Sequence, residues 1–330
     1  MATNSSNCSI KFEGFLHGHN SGVTSLVTGN NTGNAQGEIL VSGSRDKTLI
    51  IWNLAEKEEG ISYGIPFRSL TGHNNFVSDL TNSNDNFYVI SSSWDKTMRL
   101  WDIRYGTCLK RFASAGDREI HTVTFSSDNR QIISGGSLRD LRIWNTVGQC
   151  KVKNDKNNHN GWVSKVRYSS SSKNPYFASV GRDGRLKIWN QLFKLYASIK
   201  AHDNYINALA ISTNSRYLAT GGRDQEVKIW DYADLSKEHI NYKVESEVFD
   251  LAFNNQFEWL AVALDGKISI FDINNKERAI AHKELEALPG MENSKRPKAT
   301  SLKWSTDSQT LYVGCSDGTI RVYGIDVVQN

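Results

Sequence analysis

The chain has 330 residues, 38% of them apolar and 22% charged, with a formal net charge of +4 and a pI near 8.7. That is the balance of an ordinary globular protein, and no apolar run is long enough to cross a bilayer as a helix. The mild basicity permits contact with nucleic acid without arguing for it.

The opening residues, MATNSSNCS, lack the basic-then-apolar order of a secretory signal, and residues 1–9 are expected to be disordered. Residues 10–16, IKFEGFL, alternate apolar with polar as a strand does. The clearest unit follows at residues 42–53, SGSRDKTLIIWN, a turn between two strands. It returns six times in altered form, and the copies end at Trp52, Trp101, Trp144, Trp189, Trp230, Phe271 and Tyr323, at intervals of 41 to 52 residues. Such a period, with short strands paired around a Ser/Gly-x-Asp turn, marks a radially repeated β-blade. The expected fold is therefore all-β, a seven-bladed propeller over residues 10–324, with 325–330 as a tail. Residues 10–16 precede the first full repeat, so they are free to pair with the last one and close the ring. Closure removes the exposed strand edges that invite aggregation.

Between the copies, apolar runs of four to seven residues bounded by turn residues read as strands too short for helices. They are apolar on both faces because blades stack face to face. The four prolines suit ladders that proline would interrupt. A charged, glycine-bearing insertion at 55–66 lengthens the first repeat. Residues 282–298 (HKELEALPGMENSKRPK) read as a projecting loop with a short helical turn at 283–288. Cys8, Cys108, Cys150 and Cys315 are scattered without a Cys-x-x-Cys pair, which implies neither zinc nor a disulfide framework and suits a reducing, intracellular compartment. With no P-loop and no metal-ligand cluster, no cofactor, metal or small-molecule substrate is expected.

Four repeats carry a Ser/Thr, a His and an Asp, which invites a hydrolase reading. The groups are His19, Ser42, Asp46 with Trp52; His73, Ser91, Asp95 with Trp101; His159, Ser179, Asp183 with Trp189; and His202, Thr220, Asp224 with Trp230. A nucleophile needs one activated hydroxyl facing a cleft. Four copies around a ring predict structure instead: Asp to His, His to hydroxyl, hydroxyl to indole N–H, each buried polar group partnered. Repeat three lacks both partners, with Ala115 and Gly116 for Gly-His and Leu138 for the Asp. Repeats six and seven keep Asp265 and Asp317 beside Ala261 and Val313, so those carboxylates are expected to bond their own turns.

Gly-His followed by Ser-x-Asp-x-Thr-x-x-x-Trp-Asp identifies a WD40 repeat protein from Ile10 to Tyr323. The segments SRDKTLIIWNL, YGIP, GHNNFVSDL, SWDKTMRLWD and FSSDNRQIISG further resemble the receptor for activated C kinase family, Gβ-like propellers of the eukaryotic small ribosomal subunit. Two departures stand out: repeat three loses its Asp-Lys-Thr turn, and repeat six has SIFDI where the family has Trp. The resemblance implies a cytoplasmic, non-catalytic scaffold on the head of the 40S subunit. It would contact 18S ribosomal RNA and small-subunit proteins, recruit protein kinases and translation factors, and enter no membrane. A basic Arg-Asp-Lys turn is the implied ribosome contact, matched here by Arg45 and Lys47 around Asp46.

Turn positions lead to the same arc independently. Arg45 and Lys47 lie on a turn between second and third strands, and Arg68, Lys110, Arg111 and Arg118 lie at or near links between blades. Both kinds of connection open on one face, so blades one to three should carry a basic arc fit for phosphates. Phe76, Trp94, Trp162 and Tyr205 share that face as candidate protein contacts. A G-protein β subunit would need a long N-terminal helix for which nine polar residues leave no room. Another WD40 adaptor, of a ubiquitin ligase or chromatin complex, and a propeller enzyme are the other readings.

Overall fold

The computed structural model describes residues 7–30, 37–54, 63–113, 118–153, 157–274, 279–289 and 296–328. Seven antiparallel four-stranded sheets are arranged as blades around a central channel, and no helix occurs among the described residues. Each blade runs outward in chain order, its first strand lining the channel. Blades one to seven span residues 23–70, 77–113, 120–153, 163–200, 206–243, 250–284 and 299–328.

The seventh blade is completed from the other end of the chain. Asn7–Leu16 pairs antiparallel with Ile320–Val328, from Asn7 opposite Val328 to Leu16 opposite Ile320, with a bulge between Phe12 and Gly14. This ring closure takes in residues given above to a disordered terminus (1–9) and a tail (325–330). The ladder starts at Asn7 and runs to Val328, because each strand supplies the hydrogen-bonding edge the other lacks, and Cys8 and Ile325 are buried with it.

The core lies between neighbouring blades rather than within any one. Val41, Leu49 and Ile51 of blade one pack with Val77, Leu80, Val89 and Trp101 of blade two. Leu16, Tyr312 and Val322 of blade seven pack with Val23, Leu40 and Trp52 of blade one. Central strands are buried on both faces; all six residues of Tyr176–Gly181 are. Close stacking also explains a glycine: a Cβ on Gly43 would come within 2.8 Å of Val77 in the next blade.

Residues 282–298 are not simply a projecting loop. Ala279–Glu284 is the outer strand of blade six, with Lys267 opposite Glu284 and Phe271 opposite Ala279. Leu285 is buried, Tyr323 donates its hydroxyl to Glu286 Oε2 (2.6 Å), and Arg321 Nε donates to the Glu286 carbonyl (2.8 Å). An outer strand with solvent on one side alternates too weakly to be read locally, and pairing with Lys267–Asp272 replaces the expected helical turn. Residues 290–295 lie outside the described set.

Candidate functional site: a basic arc and an aromatic channel mouth on one face

The recurrent polar groups come together inside the blades. His19 Nδ1 meets Asp46 Oδ2 (2.8 Å), His19 Nε2 meets Ser42 Oγ (2.7 Å), and Trp52 Nε1 donates to Ser42 Oγ (2.8 Å). The same chain joins Asp95, His73, Ser91 and Trp101 in blade two. It recurs through Asp183, His159, Ser179 and Trp189 in blade four, and through Asp224, His202, Thr220 and Trp230 in blade five. All four hydroxyl residues are fully buried, so no substrate reaches them. His202, Asp224 and Glu226 place ligand-type atoms within 4.8 Å of one another. Yet the His202 nitrogens are engaged by Asp224 and Thr220, and Glu226 by Lys228 at 3.0 Å.

Divergent blades solve the same problem differently. In blade three Trp144 still donates to Ser134 (2.8 Å), while Asp140 pairs with buried Arg142 (3.1 Å). Ala115 and Gly116 lie outside the described residues. Asp317 does more than hold its own turn: besides accepting from Thr319, it pairs at 3.0 Å with Arg321, whose side chain is wholly buried.

Burial alone would raise Asp95 and Asp183. Hydrogen bonds from His73 and Thr97 instead hold Asp95 well below the usual range, and His159 holds Asp183 near 2. A carboxylate depressed in the fold contributes stability above its unfolded pKa, near 4, and loses it as pH falls toward the folded value. Asp95→Ala is therefore expected to cost about 1–3 kcal/mol at pH 7 by stranding His73. The deficit should narrow between pH 4 and 2 in denaturant titrations; a midpoint equal to the parent's at pH 7 refutes the network's role.

Every blade opens the same way onto one face. The turn between second and third strands donates a backbone bond to the link into its own blade: Arg45 N–H to the Gly22 carbonyl, Trp94 to Phe76, Arg182 to Trp162, Arg223 to Tyr205 and Ser316 to Lys298. On that face the residue after the turn aspartate, or after Leu138 in blade three, is left-handed. Blades one to three place cations there, Lys47 (φ 75°), Lys96 (φ 71°) and Arg139 (φ 65°). Blades four, six and seven place Gly184, Gly266 and Gly318 there, and blade five Gln225. Lys96 and Arg139 escaped the sequence reading, although aligning the turns on their distance from the blade tryptophan would have found them.

Three of the six predicted cations lie on outer strands rather than in links between blades. Arg118 is exposed in the link into blade three, and Lys47 is exposed on its turn. Arg68, Lys110 and Arg111 instead lie within the outer strands Gly64–Leu70 and Thr107–Ala113, on the outer wall. Arg68 donates to the Arg104 carbonyl (3.1 Å), and Lys110 lies along Gly148. These outer strands extend further than the sequence suggested, because with one solvent face they bury little and show no alternation. Arg45 turns the other way from Lys47, to line the channel mouth 5.9 Å from the Phe76 ring.

The four aromatics meet around that mouth. Phe76 contacts Trp94 (5.7 Å between centroids), Trp94 contacts His121 (5.7 Å), and His121 contacts Trp162 (5.2 Å). Arg182 bridges Trp162 (4.2 Å) and Tyr205 (5.4 Å). Trp94, Trp162 and Tyr205 keep 39%, 37% and 41% exposure, so the rings support one another sideways without being covered. Below the mouth, the channel wall holds a buried Asp79 salted by Lys165 and Arg167. Sequence reasoning missed it; its signal was one carboxylate inside the apolar strand of GHNNFVSDL.

Comparison with known proteins agrees with this architecture. A family model described as WD domain, G-beta repeat matches residues 10–53, 64–102, 106–145, 150–190, 193–231 and 292–324, leaving blade six, where Phe271 replaces Trp, unmatched. The MST50-interacting protein 11 of Pyricularia oryzae is 41% identical over 314 residues, covering 95% of this chain and 96% of its own. The small ribosomal subunit protein RACK1 of Neurospora crassa is 41% identical over 318 residues (95% and 96%). That of Drosophila melanogaster is 36% identical over 319 residues (96% and 98%). With the repeat, the closed ring and near full-length relatives in agreement, the chain belongs to the WD40 repeat family and, within it, to the propellers related to RACK1.

Proposed function

We propose that the protein is a non-catalytic scaffold, cytoplasmic and held on the head of the small ribosomal subunit by the basic arc of blades one to three. The arc faces 18S ribosomal RNA and adjoining ribosomal proteins, while the aromatic mouth receives signalling and translation factors, protein kinases among them. Relatives bearing the name of a small ribosomal subunit protein support the location. The supporting observation in this chain is the left-handed cation in each of the three adjacent blades. A side chain in that conformation costs roughly 1–2 kcal/mol that glycine avoids. Three neighbouring turns accept that cost to display a positive charge, and cations in a row suit a phosphate backbone. Arg118 extends the arc, and Lys110 and Arg111 flank it on the outer wall.

Reversing the charge of Lys47 and Lys96 to Glu is expected to release the protein from 40S subunits in a sucrose gradient without lowering its melting temperature. Lys47→Gly separates charge from backbone: it relieves the strain, so binding should weaken while stability holds or rises. Undiminished co-sedimentation of both variants refutes the arc as the ribosome contact.

A further inference from the structure

The channel mouth is an open cavity of about 600 Å³ whose lining is electrostatically one-sided. Arg45, Lys165, Arg182 and Lys298 contribute cations, and no lining residue is a carboxylate. Lys165 is committed to Asp79 at 3.1 Å, and Lys298 stands 3.9 Å from Asp265. Arg45 and Arg182 differ: among the described residues neither guanidinium has a carboxylate within ion-pairing distance, and both lie over rings. A ring face attracts a guanidinium but leaves its N–H fork unspent, and that fork matches a carboxylate or phosphate.

The two guanidiniums stand at opposite ends of one series of rings: Arg45 beside Phe76, then Trp94, His121 and Trp162, then Arg182. His121 contributes an aromatic edge rather than a charge, because burial and the neighbouring Arg182 push its pKa down to about 4. A cationic site flanked by half-exposed tryptophans is thus already assembled without a ligand.

We propose that this mouth binds an acidic peptide segment of a partner protein, with an anionic side chain at Arg45, another at Arg182, and apolar side chains against Trp94 and Trp162 between them. An extended segment of roughly six to eight residues, at about 3.3 Å each, matches the arc. Charge-assisted hydrogen bonds to the forks fix its register, and the tryptophans supply the buried anchor such interfaces rely on. Single-stranded nucleic acid fits less well. Its binders offer a groove that tracks the backbone and ring faces free for bases, whereas these rings tilt onto one another at 49°, 31° and 69° around a pit. The inference deepens the partner-binding half of the proposed function and needs no ribosome.

The test is fluorescence anisotropy on the purified full chain. The probe is a fluorescein-labelled octapeptide of glutamate interrupted by two tyrosines; its lysine counterpart and an oligouridylate serve as competitors. Saturable binding of the acidic probe, with a change in intrinsic tryptophan emission, is expected, and no displacement by either competitor. Arg182→Glu should weaken binding at least tenfold, and Arg182→Gln several-fold, both with the parent's melting temperature. Arg182 is in blade four, away from the basic arc, so both variants should still travel with 40S subunits, and failure of the two readings stays distinguishable. Absence of saturable binding, equal affinity in both Arg182 variants, or displacement by oligouridylate overturns the proposal, the last by making the mouth a nucleic-acid site.

Discussion

Replacing Asp79 by Ala is expected to destabilise the propeller by about 3 kcal/mol or more, seen as a lower denaturant midpoint and a melting temperature reduced on the order of 5 °C. Asp79 sits on the innermost strand of blade two with no exposed side-chain surface. Its oxygens accept from Ser25 of blade one (3.3 Å), Thr122 of blade three (2.7 Å), and Lys165 (3.1 Å) and Arg167 (2.7 Å) of blade four. Burial alone would favour the neutral acid, but Arg167 and Lys165 overcome it and hold the carboxyl far below its usual range. Removing the carboxylate leaves two cations facing one another inside the channel, and breaking a buried pair from one side costs about 3–5 kcal/mol. The lower end applies because Arg167 keeps 25% exposure. Asp79→Asn, which still accepts one set of hydrogen bonds, should lose less. Equal midpoints for parent and Asp79→Ala would show that the four-blade junction contributes nothing.

Deleting residues 1–16 is expected to abolish cooperative folding. Leu16 is buried between blades seven and one, and Phe15, also buried, packs on Phe12 at 4.8 Å with Arg321 over its ring at 5.3 Å. Loss of a buried Phe and a buried Leu alone costs roughly 5 kcal/mol or more, comparable with the whole stability of a typical domain, about 5–15 kcal/mol. It also bares the edge of Ile320–Val328, a nine-residue strand ready to pair with another chain. Size-exclusion chromatography should find aggregates and thermal melts no sharp transition. A truncated protein that melts like the full chain would rule out the closing strand.

The four complete polar groups were legible because their members keep fixed spacing from the blade tryptophan, and Ser42 bonds Trp52 across the same separation that Ser91 keeps from Trp101. The basic arc was only half legible. Arg45 and Lys47 flank one aspartate and look like a pair in sequence, yet the left-handed turn at Lys47 sends them apart, Lys47 outward and Arg45 to the mouth. Arg68 and Lys110 were misplaced because the outer strands Gly64–Leu70 and Thr107–Ala113 carry no alternation from which their ends can be read.

What the sequence determined alone is whatever recurs: strand, turn aspartate, tryptophan, and hence seven blades in a closed ring. Each is a local requirement met within one repeat, so one repeat reports it. Tertiary structure decided what arises only when blades meet. The cluster at Asp79 draws on four blades and the ring series at the mouth on three, residues far apart in the chain and joined by no period. Ring closure does that joining, bringing inner strands around one channel and turns around one mouth, where charge and aromatic surface concentrate.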